Sequence, residues 1–181
     1  MYFEKPGKDN TAATLAIALE TAKDREIRYL VLSSTSGATA MSLPDTGDLH
    51  VVVVSSAYGS KVPNENRLSD ETRQMLVDRG FSICTAAHAL SGAERSLSTT
   101  FHGVYPVEII AASLRMFGQG TKVCVEISAM AADAGLVPVG ENIIAVGGSG
   151  TGADTALILK AANTNRILET KIEEVICKPL L

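Results

Sequence analysis

The chain contains no tryptophan, and aromatic residues make up only 4% of its 181 positions. A core without large rings must be filled by Val, Ile, Leu and Ala, a composition suited to parallel strands covered on both faces by helices. Cationic excess is missing too. Sixteen Lys and Arg stand against 20 Asp and Glu, a net charge of -4, and no basic stripe breaks that balance. A nucleic-acid partner, which needs clustered Lys and Arg against its phosphates, is therefore not expected. No apolar run approaches the roughly 18–20 residues that span a bilayer, so no membrane partner is expected either. The opening Met1-Tyr2-Phe3-Glu4-Lys5 lacks the charged-then-apolar layout of a secretory signal, and the expected location is cytoplasmic. Cys84, Cys124 and Cys177 are odd in number, widely spaced and set among apolar neighbours. They read as buried free thiols of a reducing compartment, since nothing around them would lower a thiol pKa.

What the chain does have is a core: 46% of its residues are hydrophobic, and the length suits one domain over residues 1–181. Residues 10–25 read as a helix, with Leu15, Ala18, Leu19 and Ala22 at helical spacing. A β-rich run follows over 28–34, then a short turn or helix over 38–43 that Pro44 stops. The four valines 51–54 predict a central strand buried on both faces. Ser69, followed by Asp70 and Glu71, opens a helix that Gly80 closes, and 81–85 forms the next strand. Ser91-Gly92-Ala93-Glu94 has the layout of a capping box. Helices are expected over 104–117 and 121–134, and strands over 142–146, 155–161 and 174–177. Strands alternating with helices predict a three-layer αβα fold with a mostly parallel sheet.

Two stretches join strand ends to polar loops. The first is Ser34, Thr35, Ser36, Gly37, Ala38 and Thr39, after the first predicted strand. Hydroxyls and unpaired backbone N–H groups at such a turn suit a phosphate. The second is Gly148, Ser149, Gly150, Thr151, Gly152, Ala153, Asp154 and Thr155. Its glycines allow close backbone approach to a ligand, while the Asp and Thr would fix a hydroxyl or ring edge. Ligands of open parallel sheets bind beyond the carboxyl ends of the strands, where both loops lie. Gly148-x-Gly150-x-x-Ala153 comes late and has no βαβ unit after it, which argues against a dinucleotide fingerprint, and no Gly-Lys-Ser/Thr ending supports a Walker A loop.

His88, with Ser91, Gly92, Glu94 and Arg95 close behind, would hold a phosphate or move a proton. Glu126 and Asp133 fall on one face of a helix and form a second candidate acid–base pair, so the catalytic candidates are His88 and Glu126. Tyr58 and Tyr105 are candidates for stacking on a flat ring. His50 and His102 are too scattered for a metal site, and no metal is expected.

A family resemblance covers nearly the whole chain. The segment Tyr29-Leu30-Val31-Leu32-Ser33-Ser34-Thr35-Ser36-Gly37 resembles the strand and phosphate loop of the C-terminal domain of pyruvate kinase, and residues 145–155 resemble that domain's second effector loop. Lys5-Pro6-Gly7, residues 90–96, Lys122 through Asp133, and Gly152 through Ala156 resemble the stand-alone pyruvate-kinase-C-terminal-like proteins of archaea and bacteria. The resemblance implies a three-layer α/β fold and a strand-end site associated with flavin mononucleotide (FMN). It places the phosphate on Ser34 to Thr39, with Gly148 to Thr155 and His88 to Arg95 as walls. It brings no catalytic barrel or metal site, so phosphoryl transfer to ADP is not expected. Where the glycine loop should carry a basic residue this chain has Ser149 and Thr151, which leaves Arg95 or Lys61 to meet the phosphate charge. The functional expectation is a domain that binds a phosphorylated small ligand, FMN before others, as sensor, carrier or flavoprotein. The alternative is an enzyme acting on a sugar phosphate or using bound flavin. So apolar a chain is also compatible with a homo-oligomer.

Overall fold

The computed structural model describes residues 1–180. One seven-stranded sheet organises them. Its strands are β1 (Tyr2–Phe3), β2 (Tyr29–Ser33), β3 (His50–Ser55), β4 (Ser82–Thr85), β5 (Asn142–Gly147), β6 (Thr155–Lys160) and β7 (Lys171–Pro179), in the spatial order β1-β7-β6-β5-β2-β3-β4. The central pairs β5–β2, β2–β3 and β3–β4 are parallel, and so is the edge pair β7–β1. Only β6 runs the other way, antiparallel to both β5 and β7. The mostly parallel α/β sheet read from the sequence is thus the observed one. The short β1, which carries no pattern of its own, is an addition.

Strand alternation explains the two cores. Leu30, Leu32, Val51, Val53, Ile144 and Val146 point to one face, where α1 (Thr11–Asp24) and α3 (Asp70–Asp78) cover them through Leu15, Ala18, Ala22 and Leu76. Val31, Val52, Val54, Ile143, Ala145, Leu157 and Leu159 point to the other. There α6 (Gln119–Asp133) presents Cys124, Ile127, Met130 and Ala131, backed by α5 (Pro106–Arg115) through Leu114. Both faces of β2, β3 and β5 are dry, which is why these strands read as continuous apolar runs rather than alternating ones. The three cysteines are buried and unpaired, and burial raises each thiol pKa.

Local chemistry sets the element ends. Ser69 caps α3, its Oγ accepting from Thr72 N–H at 3.2 Å. The helix after β2, α2 (Ala38–Met41), is only four residues long. Pro44 blocks its continuation, and the Arg79 guanidinium donates to the carbonyls of Met41 (3.1 Å) and Leu43 (2.7 Å) while lying over the Phe81 ring. The capping box expected at Ser91 does not form. The helix α4 (Glu94–Phe101) has no side-chain cap, and Glu94 Oε1 instead accepts from Val107 N–H at 3.2 Å, capping the next helix. Among the described residues no helix is long and apolar enough to cross a membrane.

Candidate functional site

The carboxyl ends of β2, β3 and β5 open into a cavity of about 470 Å³, within the roughly 300–1,000 Å³ usual for small-molecule sites. Four segments wall it.

The first wall is the turn after β2, where Ser33, Thr35, Ser36, Ala38, Thr39 and Ser42 line the cavity. Gly37 adopts the left-handed conformation (φ 85°), and a Cβ there would press on Thr72 and Leu68, so only glycine lets the turn close beneath α3. Ser34 also lines the cavity, but its hydroxyl is spent inside the turn, accepting from Ala40 N–H at 3.2 Å. Among the described residues the hydroxyls of Thr35 and Ser36 have no such internal bond, and both residues line the hollow.

The second wall is the end of β3. Ser55 Oγ pairs with Thr85 Oγ1 at 2.7 Å, and Arg73 donates to the same Thr85 hydroxyl at 3.0 Å. Ser56 lines the cavity, yet its buried Oγ has no partner among the described residues. A buried hydroxyl left unmatched costs free energy and marks a place where a bound polar group would be welcome.

The third wall couples the glycine loop to the N-terminal segment. The Asp154 side chain is fully buried; Oδ2 accepts from Gly7 N–H (2.9 Å) and Ser149 N–H (3.1 Å), and Oδ1 from the Thr155 hydroxyl (2.8 Å). Ala153 N–H donates to Thr11 Oγ1 at 3.0 Å, and a Cβ on Gly152 would meet that hydroxyl and lie 2.7 Å from Lys8 Cα. This interlock sets Lys8 and Thr11 beside Gly148, Gly150, Thr151 and Gly152 at the cavity rim.

The fourth wall is α6, with Val123, Ile127 and Met130 as an apolar surface and Glu126 and His88 as its polar end. Glu126 is 2% exposed. Its Oε2 accepts from Lys122 Nζ at 2.6 Å and from His88 Nδ1 at 3.3 Å, and its Oε1 accepts from Leu90 N–H at 3.0 Å. Burial pushes its pKa up, but the His88 bond and the charge and hydrogen bond of Lys122 outweigh it and hold the carboxyl at about 2. Lys8 and Arg67, both exposed, are the cations on the lining outside this cluster.

The cavity therefore gathers Ser34, Thr35, Ser36, Ala38, Thr39, His88, Glu126, Gly148, Gly150, Thr151 and Gly152 from the residues singled out in sequence. It does not gather the others. Gly37, Asp154 and Thr155 are buried supports of the loops, and Ser149 enters only through its N–H to Asp154. Ser91, Gly92 and Arg95 lie off the lining, because Leu90 turns inward on Glu126 and carries the chain away into the exposed α4. Neither Arg95 nor Lys61 lines the cavity; Lys8 and Arg67 stand where they were expected. Asp133 is no partner of Glu126: it is exposed and caps the turn at Thr164, accepting from Thr164 N–H (3.1 Å) and Oγ1 (2.6 Å). Tyr58 and Tyr105 line nothing here. Among the described residues no group of His, Cys, Asp and Glu is arranged to hold a metal ion.

Lys8, Thr11, Ser55, Ser56, Arg67 and Gln119 are lining residues that the sequence reading missed. Ser55 and Ser56 follow the valine strand just as Ser33 and Ser34 follow β2, so the strand-end rule would have found them. Nothing local marks Lys8 or Arg67.

The model of the family described as the pyruvate kinase alpha/beta domain matches residues 12–160. Among solved structures, a pyruvate kinase from Cryptosporidium parvum is similar at 16% identity and a TM-score of 0.44, with 83% of this chain and 22% of that one covered. The Cryptosporidium parvum pyruvate kinase in complex with ADP is similar at 17% identity and a TM-score of 0.45, with 88% and 25% covered. The chain thus spans a quarter or less of the length of these two enzymes. With its family model laid over β2 through β6, which include the three strands whose ends open into the cavity, the chain belongs to the pyruvate kinase alpha/beta domain family.

Proposed function

We propose that the chain binds a phosphorylated small ligand in the strand-end cavity, with flavin mononucleotide first among the candidates. The observation that carries this reading is the division of the lining. The lining holds the hydroxyls of Thr35, Ser36 and Thr151 and the exposed cations Lys8 and Arg67, and it also holds the apolar side chains Val54, Val123, Ile127 and Met130. A phosphate and the chain of hydroxyls attached to it suit the first set, and a flat ring suits the second. The unmatched Ser56 hydroxyl adds a polar group that a ligand would satisfy. Bound here, a flavin would supply redox chemistry, while Lys8, Thr35 and Ser36 would hold its phosphate and the α6 side chains its ring.

The test is the visible spectrum of the protein purified without added ligand, followed by titration with flavin mononucleotide. Saturable binding that Ser36→Asp and Lys8→Met each weaken about tenfold, or about 1.4 kcal/mol, supports the reading. A colourless protein that ignores flavin removes the flavin from it. If inorganic phosphate and sugar phosphates also fail to bind, the cavity is not a phosphate-ester site.

The second reading, an enzyme acting on a sugar phosphate, has its own support. Hydroxyl side chains are the largest single group on the lining, among the described residues no aromatic ring other than His88 reaches it, and His88 is held by a buried carboxylate.

A further inference from the structure

We infer that the cavity carries a proton-transfer activity, in which His88 takes a proton from the carbon beside the carbonyl of a phosphorylated sugar. The inference rests on the phosphate-ester reading of the cavity and adds a reaction and a substrate class to it.

The geometry points to His88 because of where it stands among the partners of Glu126. The buried carboxylate already has a full cationic partner in Lys122 at 2.6 Å and a backbone donor in Leu90 at 3.0 Å. Lys122 supplies the opposing charge, and the imidazole adds its bond to these in holding the buried carboxyl ionised. His88 makes a further, longer contact, 3.3 Å from Nδ1, and it alone of the three partners stands at the surface: its side chain is 43% exposed and lines the cavity. A carboxylate at Nδ1 selects the tautomer with the proton on that nitrogen and leaves Nε2 with a free lone pair. The imidazole is thereby turned into an oriented base whose charge, once it gains a proton, is set against Glu126. Lys122 fixes Glu126, so Lys122 and Glu126 are positioning residues and His88 is the group that meets the ligand.

The class of substrate follows from the remaining walls. A base has to be matched with an acidic hydrogen, and the lining has to hold the rest of the molecule. Lys8 and Arg67 suit a phosphate, and the free hydroxyls of Thr35, Ser36, Ser56 and Thr151 suit a polyhydroxylated chain. A sugar phosphate joins both features, and the hydrogen on the carbon next to its carbonyl is the one that a neutral imidazole takes. In the step, the C–H bond breaks and its proton goes to Nε2. The electron pair moves toward the carbonyl oxygen, giving an enediolate whose charge the strand-end hydroxyls stabilise. The imidazolium exchanges its proton with water and returns one to the ligand. Nothing is oxidised or reduced, and the product is the same sugar phosphate or its isomer.

Solvent exchange reads this directly. The protein is incubated in D₂O with dihydroxyacetone phosphate, ribulose 5-phosphate or fructose 6-phosphate, and loss of the carbon-bound proton signal is followed by NMR. Binding of the same compounds is measured separately by calorimetry. The expected result is saturable exchange that His88→Gln slows about 100-fold or more, while the variant still binds the same compounds in the calorimeter. Binding without exchange, or exchange that His88→Gln leaves intact, overturns the proton-transfer role. Binding of flavin mononucleotide or inorganic phosphate but of no sugar phosphate overturns the substrate class while leaving the phosphate-ester reading in place. Failure of all of them to bind removes both.

Discussion

Two walls of the cavity are each organised around a buried carboxyl group, and the two are held in different ways. Glu126 sits on a long helix against a full positive charge, with Lys122 one helical turn before it and His88 at the cavity side. Asp154 sits in a loop, among the described residues has no cation in contact, and takes its three hydrogen bonds from Gly7 N–H, Ser149 N–H and the Thr155 hydroxyl. The first arrangement is an ion pair embedded in a preformed helix. The second is a knot that draws two loops together and would not exist without the tertiary fold. A buried charge whose partner is removed is costly, because the remaining charge has nowhere to go. A buried acceptor whose neutral donors lose it costs less per bond, but several donors are stranded at once. The two walls should therefore fail differently.

The largest effect is expected at Glu126. Glu126→Gln leaves the buried Lys122 ammonium unpaired and should lower unfolding free energy by about 3–5 kcal/mol, measured as a fall in the urea midpoint. Lys122→Met combined with Glu126→Leu should recover most of that loss, since an apolar pair of similar size removes the stranded charge. A Glu126→Gln loss under about 1 kcal/mol would end the distinction between the two walls. The same pair gives a pH signature. The folded Glu126 carboxyl is held down to about 2 from 4.5, so its contribution is fully present above the unfolded value and drains away as pH falls from about 4.5 toward 2. Urea midpoints between pH 5 and pH 2 should drop more steeply in the wild type than in the double variant. Parallel curves would show that the pair does not link folding to protons.

Asp154→Ala comes next. It strands the N–H groups of Gly7 and Ser149 and the Thr155 hydroxyl, a loss of about 2–3 kcal/mol. Part of it should be local, visible as faster amide exchange in residues 5–11 and 148–155 with β2 and β3 still protected. Uniform protection loss across the sheet would mean that the knot holds the whole fold rather than the rim. Two glycines of the same loop separate packing from conformation. Both have positive φ, 74° at Gly152 and 91° at Gly150, but a Cβ at Gly152 would meet Lys8 and Thr11 whereas nothing lies within 4 Å at Gly150. Gly152→Ala should cost about 2–3 kcal/mol, strain plus collision, and Gly150→Ala about 1 kcal/mol, strain alone. Equal losses would show that the N-terminal segment yields freely and is not locked to the loop.

The same contrast explains what could be read before the fold was known. Val51 to Val54 declares a central strand because an unbroken β-branched run tolerates burial on both faces, and residues 29–33 repeat the signal. Ser33 to Ser36 declares a strand-end turn because hydroxyls collect where a strand stops. These are local facts, decided within a few residues. The role of Asp154 is not local. An aspartate after four glycines in a polar loop looks like a ligand-facing group, and only the approach of Gly7 from 147 residues away turns it inward. The Ser91–Glu94 capping box failed for a similar reason, since Val107 N–H offered Glu94 a partner from another helix. Lys8 reaches the cavity rim through the knot and carries no signal of its own. Glu126 does line the cavity, but Asp133 is not its partner: helical spacing puts the two on one face, while the sheet beneath exposes one and buries the other.

The smallest expected effect on stability is also the one that bears most on the proposed ligand. Ser36 is exposed at the head of the turn after β2, and among the described residues its side chain has no hydrogen-bond partner. Ser36→Asp should therefore change unfolding free energy by no more than about 0.5 kcal/mol, the usual range for a surface position without partners. A carboxylate placed where a phosphate is proposed to bind would repel it, and a loss of about tenfold in affinity for flavin mononucleotide or a sugar phosphate corresponds to about 1.4 kcal/mol. Asp154→Ala should give the opposite profile, with a large loss of stability and an affinity change that operates only through the placement of Lys8. A double-mutant cycle separates the two. If Asp154 acts through Lys8, the affinity lost in Asp154→Ala vanishes when Lys8→Met is already present, whereas Ser36→Asp and Lys8→Met add. Additivity of Asp154→Ala with Lys8→Met would instead show that the glycine loop meets the ligand in its own right, through the backbone at Gly148 and Gly150.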